Sequence, residues 1–155
     1  MKAREIMTTD VVVVEETCPI EEAARLLARH HISGLPVLNP KGAIVGMVTE
    51  HDIISKRGSL VSDIMSGGVI SVTADTELED VVFLLTNKRI RRVPVMDGEK
   101  LVGILSRSDL VRQIAMRWVC STCGQEVRAV AQPEQCPTCH APTNVFAHEV
   151  DLPGM

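Results

Sequence analysis

Apolar residues along the chain fall into short clusters of two kinds, and the same order of clusters occurs twice. The β-branched runs at 11–14 and 69–72 predict short buried strands. Ile20, Ala23, Ala24 and Leu27 recur at helical spacing, as do Leu78, Val81, Val82 and Leu85, so each half gains a helix. Thr76-x-x-Glu79 reads as a capping box at the start of the second of these helices. In the first, Pro19 stands at the first helical position, where its missing N–H costs nothing. Residues 35–38 and 43–48, then 93–96 and 101–105, predict pairs of strands joined by glycine-containing turns. A last helix begins near Glu50 and again near Arg107. The order is β-α-β-β-α, twice.

The two halves align at an offset of 58, Met65 answering Met7 and Val93-Pro94-Val95 answering Leu35-Pro36-Val37. The offset drops to 57 after the turn at 39–42, which has one more residue than its counterpart at 97–99. It then holds from Gly103 to Asp109 against Gly46 to Asp52. This is a duplication. A unit of ~55 residues buries little surface alone. Two units packed about a pseudo-twofold axis, sharing their sheets, would close one core. The fold class is therefore α/β (α+β), with repeats at 1–57 and 58–116 and a separate small, β-rich tail at 117–155.

Composition narrows the partners. Hydrophobic residues make up 45% of the chain, enough for a core, but Phe83, Trp118 and Phe146 are its only aromatics. The net charge of −4 and the scarcity of rings disfavour nucleic acid, which needs cations for phosphates and aromatics for bases. No apolar run reaches the roughly 18–20 residues of a membrane span, and the opening Met1-Lys2-Ala3-Arg4-Glu5 leads into no signal-peptide core. A cytoplasmic protein is expected. No Gly-x-Ser-x-Gly, P-loop or His-Glu-x-x-His motif is present, so the chain reads as a binding protein and not an enzyme.

Thr49 and Ser106 stand at the two strand-to-helix junctions, with Asp52 and Asp109 three residues on. This spacing is itself a variant capping box and needs no ligand. It is equally an anion site, because free amides at a helix start and a hydroxyl can meet a phosphate while the carboxylate accepts from a ribose. Two β-α-β-β-α units, each with an apolar-Pro-Val strand followed by Gly46-Met-Val-Thr-Glu-His-Asp52 or Gly103-Ile-Leu-Ser-Arg-Ser-Asp109, resemble a tandem pair of CBS domains, a Bateman module. The resemblance covers roughly residues 1–116. It implies two clefts for adenosine-type ligands such as AMP, ADP, ATP or S-adenosylmethionine, and often a homodimer joined through helices. By match, Asp52 and Asp109 would hold ribose, Thr49 and Ser106 ribose or phosphate, and backbone near Leu35 and Val93 the base.

The copies differ where Ser33-Gly34 becomes Arg91-Arg92. Arginine suits bidentate phosphate contact. It also serves as a solvated, solubilising pair. Under the first reading one cleft is better furnished for a charged nucleotide. His51 reads as a helix-surface residue, and His30 and His31 as a helix end, where a cation is favourable.

Four of the five cysteines form Cys120-x-x-Cys123 and Cys136-x-x-Cys139, a strong pattern for one tetrahedral metal ion. Cys18 stands apart as a structural thiol. The tail has few apolar residues beyond Trp118, Val119, Val127, Val130, Val145 and Phe146, so metal binding, worth ~10 kcal/mol or more, would have to hold it. The knuckles resemble a zinc ribbon and, more loosely, the iron site of rubredoxin. That second family favours glycine after each pair; Gly124 fits and His140 does not. Zinc is the expected ion, with iron open because four thiolates suit both. Arg117 and Arg128 are outweighed by Glu126, Glu134, Glu149 and Asp151, so the ribbon suits a protein target better than nucleic acid. The function expected is a regulatory adenine-nucleotide sensor with a structural ribbon. The alternatives are a rubredoxin-like redox protein with a CBS regulatory pair, and a ribbon-type transcription-associated regulator.

Overall fold

The computed structural model describes residues 1–129 and 131–148; Val130, Glu149 and Asp151 lie outside them. In the first repeat β1 (Val14–Glu15) runs parallel to β2 (Gly34–Leu38), which pairs antiparallel with β3 (Ile44–Thr49). α1 (Ile20–His30) buries Ala23 and Leu27, and α2 (Glu50–Ser55) follows β3 directly. α1 stops at His31, whose left-handed backbone (φ 52°) turns the chain toward β2. A short α3 (Val61–Ile64) opens the second repeat.

The second repeat has the same plan. β4 (Val72–Thr73) is parallel to β5 (Arg92–Asp97), and β5 is antiparallel to β6 (Lys100–Ser106). α4 (Leu78–Asn87) lies between β4 and β5, and α5 (Arg107–Ala115) follows β6. Even the register irregularity recurs, at Val37/Leu38 and at Val95/Met96.

Three local expectations need correcting. The strands expected at 11–14 and 69–72 share only Val14 and Val72 with β1 and β4, because the preceding residues cross from one repeat to the other before a partner strand lies alongside. Pro19 sits just outside α1 instead of at its first position. Thr76 does not cap α4: its Oγ accepts from the Thr73 amide at 3.0 Å, and the Leu78 amide donates instead to the Met1 carbonyl at 2.8 Å. A segment remote in sequence has taken over the cap.

The two sheets do not merge into one core. One cluster holds Val14, Leu35, Val37 and Val48; the other holds Val72, Val93, Val95 and Leu105. Each is completed by a segment from across the boundary between repeats. Ala3, wholly buried, joins the second cluster, and Thr8 bridges to Ile104. Val61 and Ile64 join the first, where the Val61 amide donates to the Cys18 carbonyl and Ser66 bridges to Met47. The repeats are thus interlocked by exchange.

The tail forms a separate antiparallel sheet of β7 (Arg117–Cys120), β8 (Glu126–Arg128) and β9 (Phe146–His148), in the order β8-β7-β9. β7 leaves the end of α5 after Met116. Around that junction the Ala129 amide donates to the Met116 carbonyl and Arg128 to Gln113 Oε1 at 2.9 Å. No helix among the described residues is long and apolar enough to cross a membrane.

Candidate functional site

Both Ser/Thr-x-x-Asp motifs fold as reciprocal capping boxes, and this follows from their spacing. Asp52 Oδ2 accepts from the Thr49 amide and hydroxyl, each at 2.9 Å, while Thr49 Oγ1 accepts from the Asp52 amide. Ser106 and Asp109 repeat the pattern. The free amides expected at these helix starts are partly taken. The Glu50 amide donates to the Ser33 carbonyl and that of Arg107 to the Arg91 carbonyl. α2 has only six residues, so its start is a poor anion site by itself.

The two aspartates differ. Asp52 is 4% exposed and its second oxygen lies 2.8 Å from Lys56 Nζ, which also donates to the Ile64 carbonyl. Burial works against its charged form, but Lys56 and the Thr49 amide and hydroxyl outweigh it and hold Asp52 below the usual carboxylate range. A carboxylate depressed in the fold contributes stability above the unfolded-state pKa of about 3.9. That contribution is lost as pH falls through the lower folded value. Wild-type protein should therefore lose stability faster than Asp52→Asn below about pH 4, read from urea midpoints at stepped pH. Parallel curves would count against the assignment.

Thr49 and Asp52 line a cleft of about 680 Å³. Its facing wall comes from the other repeat, as Arg89, Ile90, Arg91, Arg92 and Pro94. The segment from Ser66 to Ile70 closes a third side. Of the residues expected from sequence, the fold brings Thr49, Asp52, Arg91 and Arg92 together here. Ser106 and Asp109 line neither this cleft nor the smaller hollow between Arg4 and Asp97. Leu35 and Val93 are wholly buried, and their side chains belong to the two cores.

Arg92 does something the sequence does not foretell. Its guanidinium donates to the Gly34 carbonyl at 2.7 Å and to Ser33 Oγ at 2.5 Å, tying the repeats together. Desolvation lowers its pKa, against the opposing pull of Asp109 and Glu50. Sequence reasoning missed Arg89, Glu50, Ile54 and the 66–70 segment. Only Arg89, beside the Arg91-Arg92 pair, carried a visible signal.

The four cysteines converge as expected, with all four sulfurs within 4.8 Å of one another. Cys120 and Cys139 Sγ are 3.6 Å apart, and Cys123 and Cys136 Sγ 3.7 Å. Disulfide sulfurs would be about 2.05 Å apart. Metal–sulfur bonds of about 2.3 Å in a tetrahedron place neighbouring sulfurs about 3.8 Å apart, so the spacing fits an ion.

The knuckles are matched. The Gly124 amide donates to the Cys120 carbonyl at 2.7 Å and the His140 amide to the Cys136 carbonyl at 2.9 Å. Gly124 has φ 74° and His140 φ 60°. The backbone preference of histidine, which the sequence set against a rubredoxin-like knuckle, is overridden by this turn. Desolvation opposes the Cys120 thiolate, but the Cys123 and Thr122 amides bring its pKa down to about 6. The Ala141 amide favours the Cys139 thiolate, yet desolvation and three neighbouring sulfurs push it up to about 12. Four thiolates this close need a cation among them.

Residues 3–58 and 61–116 each match the CBS domain family, and residues 118–147 match the rubrerythrin, rubredoxin-like domain. The CBS domain-containing protein YhcV of Bacillus subtilis is 34% identical over 114 residues, covering 69% of this chain and 81% of YhcV. The chain also matches inosine-5'-monophosphate dehydrogenase of Methanocaldococcus jannaschii but spans only 23% of its length. Two solved structures overlay on it. CBSX2 of Arabidopsis thaliana, in complex with AMP, is 31% identical with a TM-score of 0.68, covering 72% of this chain and 93% of that one. The CBS domain pair of protein MJ0100, in complex with 5'-methylthioadenosine and S-adenosyl-L-methionine, is 28% identical with a TM-score of 0.69, covering 72% and 94%.

Proposed function

The chain belongs to the CBS domain family, with a rubredoxin-like four-cysteine domain behind the tandem pair, and on that premise we propose that it is a regulatory protein that binds an adenine nucleotide or S-adenosylmethionine. The observation that carries this reading is the cleft of about 680 Å³ that joins Thr49 and Asp52 of one repeat to Arg91 of the other. Similar pairs hold AMP in one case and S-adenosyl-L-methionine in another. Asp52 holds the ribose and Thr49 supports it. The exposed Ile54 and Ile70 give the mouth apolar surface for the base. The role is binding, not catalysis, and the setting is a reducing cytoplasm that keeps the cysteines from pairing as disulfides.

Binding regulates only if the ligand prefers one arrangement of the repeats over another. The tail, continuous with α5, would pass that preference to a protein target, and pairing of helices around the exposed Phe83 and Val111 would make a homodimer. Calorimetric titration with AMP, ATP and S-adenosylmethionine is expected to give saturable heat with at least one of them. Heat with none would remove the proposal.

The ion divides two readings. Zinc would make the tail a structural, protein-contacting ribbon held by Cys120, Cys123, Cys136 and Cys139. Iron is favoured by the rubredoxin-like match and by the like geometry of the two knuckles, and it would add one-electron chemistry at the same thiolates. Protein purified without added metal should be red with iron and colourless with zinc.

A further inference from the structure

The two ligand positions implied by the duplication are not equivalent, and their charges differ most. We propose that this chain binds a single adenosine ligand at the Thr49–Asp52 cleft and selects one carrying phosphate, which Arg89 and Arg91 hold. The proposal rests on the nucleotide reading above and adds which cleft, which chemical class and which side chains.

Three guanidiniums line the cleft, and they are not equally available. Arg92 is already engaged by Gly34 and Ser33. The side chains of Arg89 and Arg91, both exposed, have no hydrogen bond or ion pair among the described residues, and both residues line the cleft. Two uncommitted guanidiniums on one wall, two residues apart, suit the tetrahedral oxygens of phosphate, which guanidinium meets with paired N–H donors. The acidic counterweight is small. Asp52 is matched by Lys56, which leaves Glu50, whose charge also acts on Arg92, as the lining carboxylate without an ion pair among the described residues. A sulfonium ligand such as S-adenosylmethionine would bring its own positive charge against Arg89 and Arg91.

The other position lacks this furniture. At the repeat offset, Arg89, Arg91 and Arg92 correspond to His31, Ser33 and Gly34, which provide no permanent cation. Ser33 and Gly34 instead accept Arg92, in a bridge between the repeats whose Ser33 and Arg92 both line the Thr49–Asp52 cleft. Gly34 is also tightly packed, since an added Cβ would lie 3.2 Å from the Val48 carbonyl oxygen and 3.3 Å from Thr49 Cγ2. The duplication has thus kept both aspartates while building the anion wall once.

The test is calorimetry on the full chain with AMP, adenosine and S-adenosylmethionine, repeated with Arg91→Ala and with Arg89→Asn. Asparagine tolerates the left-handed backbone at position 89 (φ 52°), so neither variant threatens the fold. AMP should bind one per chain and at least ten-fold more tightly than adenosine or S-adenosylmethionine, roughly the worth of one charge-assisted contact. Each variant should remove most of that advantage while leaving adenosine affinity unchanged. AMP no tighter than adenosine, two AMP per chain, or variants that bind AMP like wild type would overturn the proposal and leave the nucleotide reading intact. Silence from all three ligands would overturn both.

Discussion

Serine in place of Cys120 or Cys136 is expected to strip the tail of its metal and of its fold together. Both cysteines are wholly buried, and among the described residues they and Phe146 make up the buried core of the tail. Trp118, Val127, Cys139, Ala141 and Val145 only lean against it. So small an apolar cluster cannot order some thirty residues, each of which loses roughly 1–2 kcal/mol of backbone entropy on folding. Coordination by four thiolates, worth about 10–16 kcal/mol in comparable small domains, is the largest single contribution the tail has. Metal content should fall from one equivalent per chain to near none. Trp118, the only tryptophan, should shift to the emission of an exposed indole. A strong chelator should do the same to wild type, more slowly. The CBS pair should keep its thermal transition, because among the described residues neither of its two apolar clusters includes a residue of the tail. Full metal content with unshifted Trp118 emission would refute the dependence of the tail on its ion.

The second large effect lies at Gly46, where Gly46→Ala should destabilise the CBS pair by about 1–3 kcal/mol. An added Cβ would stand 2.8 Å from Met65 Sδ and 2.9 Å from the Ser66 carbonyl oxygen. Gly103 is the matched position, and there the nearest atoms, from 2.5 Å, all belong to the side chain of Met7. The shorter distance predicts the smaller penalty. A methionine side chain can swing away, whereas the Ser66 carbonyl accepts from the Met47 amide at 3.0 Å and cannot move without breaking that bond. Gly46→Ala should also weaken nucleotide binding, because Ser66 begins the segment that walls the cleft. Gly103→Ala should leave binding unchanged. Denaturation midpoints and AMP titrations of the two variants check this; equal losses would show that the exchanged segments are held alike.

Legibility in the sequence followed distance along the chain. Thr49 with Asp52, and Ser106 with Asp109, were readable because a capping box is complete within four residues. The metal site was readable because each Cys-x-x-Cys forms its own knuckle and the ion supplies the long-range contact. His140 misled, since the turn imposes a left-handed backbone that histidine disfavours but can adopt. Thr76 misled for the opposite reason: its local pattern was sound, but Met1 reached the Leu78 amide first. The strands at 11–14 and 69–72 were overextended because β-branched residues also line crossings and clefts, as Val69 does.

By itself, the sequence determined the duplication, the fold of each repeat, both capping boxes and the four-thiolate site. Only the tertiary structure decided that Met7 covers Gly103 and Met65 covers Gly46, and that Arg89 and Arg91 of one repeat face Thr49 and Asp52 of the other. The reason is physical. Burial of apolar surface is non-directional, so a hydrophobic pattern states which residues leave water but not against which partner. In a duplicated chain every core face has a near-equivalent twin. The choice between them is made by the length and path of the connecting segments, and that choice built the cleft from both repeats.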